Sequence, residues 1–124
     1  MTSDRNPVWS RICPADSLIE QGDGIRFLIS HASGPIPAFL LRIDGQARAY
    51  LNRCSHVPVE LDWNEGKFLD ASGRSIVCAT HGAVYDAGSG HCQGGPCRGR
   101  GLQPVACREI DGWIEVEATA SRNA

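Results

Sequence analysis

Four side chains in two short motifs have the chemistry of a metal site. Cys54 and His56 form a Cys-x-His motif, and Cys78 and His81 form a Cys-x-x-His motif. Thiolate and neutral imidazole suit zinc and iron–sulfur centres. Structural zinc sites usually contain a knuckle of two closely spaced cysteines, whereas here each motif offers one Cys and one His. Such a set matches a [2Fe–2S] centre in which one iron binds both thiolates and the other binds both imidazoles.

Both motifs begin where a predicted strand ends. Tyr50-Leu51-Asn52 leads into the first motif, and Ser75-Ile76-Val77 leads into the second. Two loops at the ends of neighbouring strands can bring two thiolates and two imidazoles around one centre. The position of the motifs therefore favours a single site built from two loops.

The rest of the chain has the two-residue period of β-strands. Ala47, Ala49 and Leu51 alternate with polar neighbours, which predicts a strand with one buried face. The dipeptides Asp44-Gly45 and Asp111-Gly112 separate such runs and predict tight hairpins. We expect an all-β domain of eight to ten short strands, with at most one helical turn within 15–21. The predicted strands span residues 25–30, 36–43, 46–51, 67–70, 74–78, 83–86, 104–110 and 112–117.

Length and charge limit the function classes. The 124 residues predict a single domain over 1–124 with an ordered core of about 7–118. A net charge of −2 argues against a nucleic-acid partner. The longest apolar run, 36–41, is far shorter than a membrane span, and the first residues show no secretion signal. We therefore expect a cytoplasmic protein with no membrane partner, in which the six cysteines are metal ligands or free thiols.

Three segments of the sequence, 52–56, 78–86 and 90–96, resemble the two cluster-binding boxes and the Gly-Pro cover loop of Rieske-type proteins. The resemblance implies a Rieske-like fold of stacked antiparallel sheets, with one [2Fe–2S] cluster at the tip of two loops. It implies that Cys54 and Cys78 bind one iron and that His56 and His81 bind the other. The residues that it places around these ligands are Ser55, Gly82, Ala83, Tyr85, Gly95 and Pro96.

Departures from the pattern favour one branch of this family. Rieske proteins of the cytochrome bc1 and b6f complexes have an extra Cys in each box, joined by a disulfide. Here Ser55 follows the first Cys, and Ala79-Thr80 fill the second box. The chain is thus more similar to soluble Rieske ferredoxins. That similarity implies a one-electron carrier, without catalysis of its own, between a flavin-containing ferredoxin reductase and a terminal oxygenase.

Two alternatives remain at the level of sequence. One is a small redox subunit of a larger oxidoreductase, such as a nitrite reductase. The other, from a different class, is a structural zinc-binding module that uses the same four ligands.

The remaining chemistry-bearing residues have simpler interpretations. Cys92 and Cys97 are expected to be reduced thiols in a tight loop, and Cys13 and Cys107 to be small core residues. His31 is interpreted as a turn residue and His91 as a surface residue. The family resemblance implies that the Tyr85 hydroxyl reaches a ligand sulfur. It also implies that Ala83 lacks a hydrogen bond that a Ser at this position donates in high-potential relatives.

Overall fold

The computed structural model describes residues 9–30, 34–53, 60–62, 65–78, 82–95, 97 and 99–117. Within these residues the chain forms nine β-strands and one 3-10 turn, Ala15–Ser17. This architecture confirms the predicted all-β class. The strands are β1 Trp9–Pro14, β2 Ile25–Ile29, β3 Ile36–Ile43, β4 Gln46–Leu51, β5 Ser75–Val77, β6 Val84–Asp86, β7 Cys92–Gly94, β8 Cys107–Ile110 and β9 Trp113–Glu117.

The strands form three antiparallel sheets of three strands each. The terminal sheet has the order β1-β9-β8, the central sheet β2-β3-β4 and the distal sheet β5-β6-β7. Strand β1 therefore pairs with the last strand of the described chain, with Trp9 opposite Glu117. This pairing joins the two ends of the described chain in one sheet.

Two of the hairpins form where the Asp-Gly dipeptides predict them. Asp44 and Gly45 have φ angles of 54° and 77° between β3 and β4, and Asp111 and Gly112 have 52° and 79° between β8 and β9. Positive φ at both central residues is the backbone of a tight hairpin turn, and it matches the twist of the strands on either side. Local sequence therefore determines the register of both hairpins.

Strand β3 is the centre of the core because both of its faces are covered. Phe39, Leu41 and Ile43 pack against the distal sheet, and the Phe39 ring stacks on Phe68 with 3.9 Å between centroids. Leu40 packs on the opposite face with Ile114 and Val116 of the terminal sheet. Burying each large apolar side chain contributes about 1.5–3 kcal/mol. The central sheet is thus the middle layer of a three-sheet stack.

Four expectations about the strands need correction. Residues 67–70 do not form a strand, because only Leu69 makes an isolated bridge, to Ile76. The strand expected from Pro104 begins at Cys107.

The single buried face expected for β4 is wrong at Tyr50, which is 3% exposed because its ring lies against Phe39 of the neighbouring strand. The pattern also missed β1 and β7, whose pairing depends on distant parts of the chain.

Candidate metal centre

The structure describes one of the four predicted ligands, Cys78. The other three, Cys54, His56 and His81, lie outside the described residues, as do the neighbouring predictions Ser55 and Pro96. The described parts of the site are the bases of the two loops that carry these residues. Hydrogen bonds and packing hold these bases together.

Backbone hydrogen bonds close the base of the second loop. The N–H of Cys78 donates to the carbonyl of Ala83, and the N–H of Gly82 donates to the carbonyl of Cys78, each at 2.8 Å. These bonds continue the β5–β6 ladder, in which Val77 is opposite Val84. The segment that carries His81 therefore starts and ends at a paired hairpin base.

The Cys78 side chain is fully buried at this base. It belongs to the core cluster that includes Ala83, Tyr85 and Cys97, all of them 0% exposed. Tyr85 lies on β6 opposite Ile76 and Cys92. A hydrogen bond from its hydroxyl to a ligand sulfur stays a prediction.

The base of the first loop is held by a side chain, that of Asn52, which is 1% exposed. Its Oδ1 accepts a hydrogen bond from the N–H of Leu61 at 2.8 Å, and its Nδ2 donates to Asp62 Oδ1 at 2.9 Å. Because residues 52 and 61–62 stand on opposite sides of the first motif, this amide closes the loop that carries Cys54 and His56. Sequence reasoning missed Asn52, because its partner Leu61 lies nine residues further along the chain, on the other side of the motif.

Asp62 extends the same network into the core. Its carboxylate side chain is 0% exposed, and Oδ2 accepts from the N–H of Gly66 at 2.9 Å and lies 3.7 Å from Arg26 Nε. Arg26 also pairs with Glu60, and its guanidinium lies 3.8 Å from Glu65. A buried carboxylate is tolerated when it is paired and hydrogen-bonded, so this network is satisfied and ties the loop to β2.

The expectation that Cys92 and Cys97 are reduced is wrong, because the structure joins them in a disulfide. Strand β7 and the turn after it bring the two Cα atoms to 5.6 Å, within the usual range for a disulfide. Cys97 is also fully buried, which shields the bond from solvent. A reducing compartment disfavours disulfides in general, but it does not determine the local backbone geometry that brings these two sulfur atoms together.

The disulfide-bonded segment packs directly against the base of the second loop. A Cβ at Gly95 would lie 2.8 Å from the carbonyl oxygen of Gly82 and 3.0 Å from the Cα of Ala83, so only glycine fits without movement. The structure thus brings three of the predicted residues, Gly82, Ala83 and Gly95, into contact.

The two cysteines without a predicted role lie away from the loop bases. Burial raises the pKa of Cys13 and of Cys107, so both stay protonated near neutral pH. Cys13 is in the core between the central and terminal sheets, as expected, but Cys107 is only partly buried. Of the two unassigned histidines, His91 is exposed as predicted, and His31 lies outside the described residues.

The chain matches the family model of the Rieske [2Fe-2S] domain over residues 8–111. It belongs to this family. Its cofactor is accordingly a [2Fe–2S] cluster, one per chain. The described donor fits such a group: Cys78 is a buried thiol at a closed loop base, where it can act as a thiolate ligand once metal displaces its proton.

Known proteins with this Rieske domain differ in size. The iron–sulfur subunit 2 of the cytochrome b6-f complex from Nostoc sp. is 30% identical over 103 residues, and the chain spans 53% of its length. The structure resembles the ferredoxin of carbazole 1,9a-dioxygenase from Nocardioides aromaticivorans, with a TM-score of 0.68, 22% identity, and coverage of 94% of this chain and 100% of that one. The terminal oxygenase of carbazole 1,9a-dioxygenase from Novosphingobium sp. has a TM-score of 0.71 and 22% identity, with coverage of 91% of this chain and 30% of the oxygenase. At these identities the structural matches establish the fold of the Rieske domain.

The described part of the chain contains no helix that could span a membrane, because none there has the length and apolar content to cross a bilayer.

Proposed function

We propose that the protein is a Rieske ferredoxin that carries one electron from a flavin-containing reductase to a terminal oxygenase in the cytoplasm. The observation that carries this proposal is the match to a stand-alone ferredoxin along almost the whole of both chains. In the terminal oxygenase the same domain corresponds to 30% of the chain. We treat residues 1–124 as one domain whose work is electron transfer rather than catalysis.

We assign the four ligands as the sequence predicts. The thiolates of Cys54 and Cys78 bind one iron, and the imidazoles of His56 and His81 bind the other. When bound, the cluster supplies a one-electron redox centre, and neutral imidazole ligands give it a higher potential than an all-cysteine cluster. The chain contributes two loops with closed bases, the second of which keeps Cys78 out of water.

A second candidate function is a redox subunit of a larger oxidoreductase. The observation in its favour is the curated relative, which is named as a subunit of the cytochrome b6-f complex. Against it, residues 52–59 and 78–86 contain one cysteine each, so the disulfide between the loops of bc1 and b6f proteins cannot form. The one disulfide of the described residues joins Cys92 to Cys97 instead.

Electron transfer tests the proposal directly. The purified holoprotein, reduced with a flavin-containing ferredoxin reductase and NADH, is mixed anaerobically with an oxidised Rieske oxygenase, and its visible absorbance is followed by stopped flow. We expect reoxidation at a rate that rises with oxygenase concentration. No exchange with any oxygenase, together with stable co-purification in a larger complex, would favour the second candidate.

Metal analysis separates both candidates from a zinc module. We expect about two iron and two sulfide ions per chain, with an EPR signal after reduction by dithionite. Stoichiometric zinc in a colourless protein, persisting after anaerobic iron reconstitution, would overturn the proposal.

A further inference from the structure

A cleft of about 330 Å³ opens along β4, where residues 46–50 contribute to its lining. Its polar lining includes Gln46, Arg48, Ser89 and Cys107, and its apolar lining includes Pro104 and Val105. Leu51 and Asn52, which lie between Arg48 and the Cys-x-His motif in the chain, are both buried. None of the residues that line the cleft belongs to the two loop bases.

The cleft exists because a neighbouring segment covers only part of β4. The N–H of Leu51 donates to the carbonyl of Gln103, and the N–H of Val105 donates to that of Ala49, which covers the later half of the strand. From Cys107 onward the chain pairs with β9. The Cys107 thiol still contacts the earlier half of β4, where it donates to the carbonyl of Ala47 at 3.4 Å.

The Arg48 guanidinium forms no ion pair in the described part of the chain. Among the same residues, its Nε is buried without a hydrogen-bond partner, and no carboxylate lines the cleft. The nearby carboxylates are engaged elsewhere: Asp44 pairs with Arg74 at 2.8 and 3.2 Å, and Asp86 accepts from the N–H of Ser89. Arg48 itself is only partly buried and lines the cleft, so its positive charge there is not paired with a carboxylate of the described residues.

We propose that this cleft binds a small organic anion through its oxyanion group. A carboxylate or a phosphate can accept hydrogen bonds from the two terminal nitrogens of the Arg48 guanidinium. The hydroxyl of Ser89 and the amide of Gln46 offer further polar contacts, and Pro104 and Val105 provide an apolar wall for a short carbon chain. The volume lies at the small end of known ligand sites, which suits a metabolite of a few carbon atoms. This site is independent of the proposed electron-transfer function.

The proposal is tested by titrating the ¹⁵N-labelled holoprotein, followed by NMR at constant ionic strength set with chloride. The probes are inorganic phosphate, acetate, propionate and butyrate, so that the two oxyanion types are compared directly. We expect saturable shifts at residues 46–49, 88–89 and 104–107. If the apolar wall contacts the carbon chain, affinity rises by up to about four-fold for each added methylene. Absence of saturation with every probe would overturn the proposal.

Two variants with the same change in charge sharpen this test. Arg48→Gln is expected to weaken binding at least ten-fold. Arg11→Gln removes an exposed guanidinium on the terminal sheet and is expected to leave the affinity within two-fold of wild type. Equal affinity of Arg48→Gln and wild type would refute the site. If Arg48→Gln does not fold, Arg48→Lys decides, because it keeps the charge but lacks the forked donors and should still bind more weakly.

A chemical readout at Cys107 is independent of the NMR shifts. A bound anion covers this thiol and should slow its alkylation by iodoacetamide several-fold, as measured by peptide mass spectrometry. The same anion should leave the rate unchanged in Arg48→Gln. An equal rate with and without anion in wild type would contradict the assigned position of the ligand.

Discussion

The bases of the two loops that carry the proposed ligands are held by different kinds of bond. The first depends on the side chains of Asn52 and Asp62, which form a buried polar network with Arg26. The second depends on backbone hydrogen bonds between Cys78, Gly82 and Ala83. A substitution can delete a side-chain bond, whereas most substitutions leave a backbone bond in place. The first loop is therefore the more sensitive to mutation.

The surroundings of the two bases also differ, in polarity. The first base holds a carboxylate that is 0% exposed and paired with a partly exposed guanidinium. The second is apolar, with Cys78 and Tyr85 in the main core, and it is braced by the segment that the Cys92–Cys97 disulfide closes. We therefore expect the second base to respond to loss of the disulfide and the first to loss of a single hydrogen-bonding group.

The largest effect should come from removing a ligand at the second base. Cys78→Ser is expected to abolish cluster binding, because a hard alkoxide replaces a thiolate poorly, however well the backbone holds the loop. Iron and sulfide content and visible absorbance measure the loss. Cys107→Ser, at a partly buried thiol away from the loop bases, is the control and should retain the cluster. A fully loaded Cys78→Ser protein would show that Cys78 is not a ligand.

The next largest effect is expected at the first base. Asn52→Ala leaves Asp62 Oδ1 and the N–H of Leu61 without their partner, which should cost about 3 kcal/mol of stability. The thermal midpoint for loss of visible absorbance should fall by roughly 10 °C. Gln103→Ala removes an exposed amide beside the same strand and should change stability by less than about 0.5 kcal/mol. Similar thermal midpoints for Asn52→Ala and Gln103→Ala would contradict the greater sensitivity of the first loop to mutation.

Opening the disulfide should affect the second base more moderately. Replacing Cys92 and Cys97 together by Ser is expected to reduce stability by about 2 kcal/mol, since the bond closes only a short loop. Amide hydrogen exchange should then accelerate at Gly82 and Ala83, while Asn52 and Leu61 keep their protection. Faster exchange at both bases would mean that the disulfide acts on the whole tip. Alkylation of both thiols in wild-type protein without reductant would show instead that the bond is not formed.

The smallest effect concerns Tyr50, which links the strand before the first loop to the distal sheet. Its hydroxyl donates to the carbonyl of Ala87 at 2.8 Å, and burial raises the pKa of Tyr50 to about 12. Because the folded pKa exceeds the unfolded value of about 10, the stability contribution is complete below pH 10 and is lost as the pH rises through 12. At pH 11 the loss should be about 1 kcal/mol.

Denaturant unfolding at pH 8 and pH 11 measures this dependence. Tyr50→Phe should lose about 1 kcal/mol at pH 8, because its hydrogen bond is absent, and should show a smaller further loss at pH 11. The same alkaline loss in both proteins would assign the pH dependence to other groups.

The two loops also differ in how much of each base could be predicted from the sequence. The motifs around Cys54 and Cys78 are local, and their residue types indicate the metal chemistry without reference to the fold. Asn52 was not predicted, because its partners, Leu61 and Asp62, are recognisable only when the loop between them is closed. The ligand roles of Cys54, His56, Cys78 and His81 remain predictions.

The sequence by itself determined the all-β class and the two Asp-Gly hairpins, because these depend on backbone preferences and alternation within a few residues. It also determined the bounds of β3 and β4, which pair through one of those turns. Only the tertiary structure decided the pairing of β1 with β9, the burial of Tyr50, the disulfide between Cys92 and Cys97 and the unsatisfied Nε of Arg48. Each of these depends on how close the folded chain brings the residues involved to one another, and on which polar groups it leaves without a partner. Those distances are set when the three sheets stack, so no local pattern of residues encodes them.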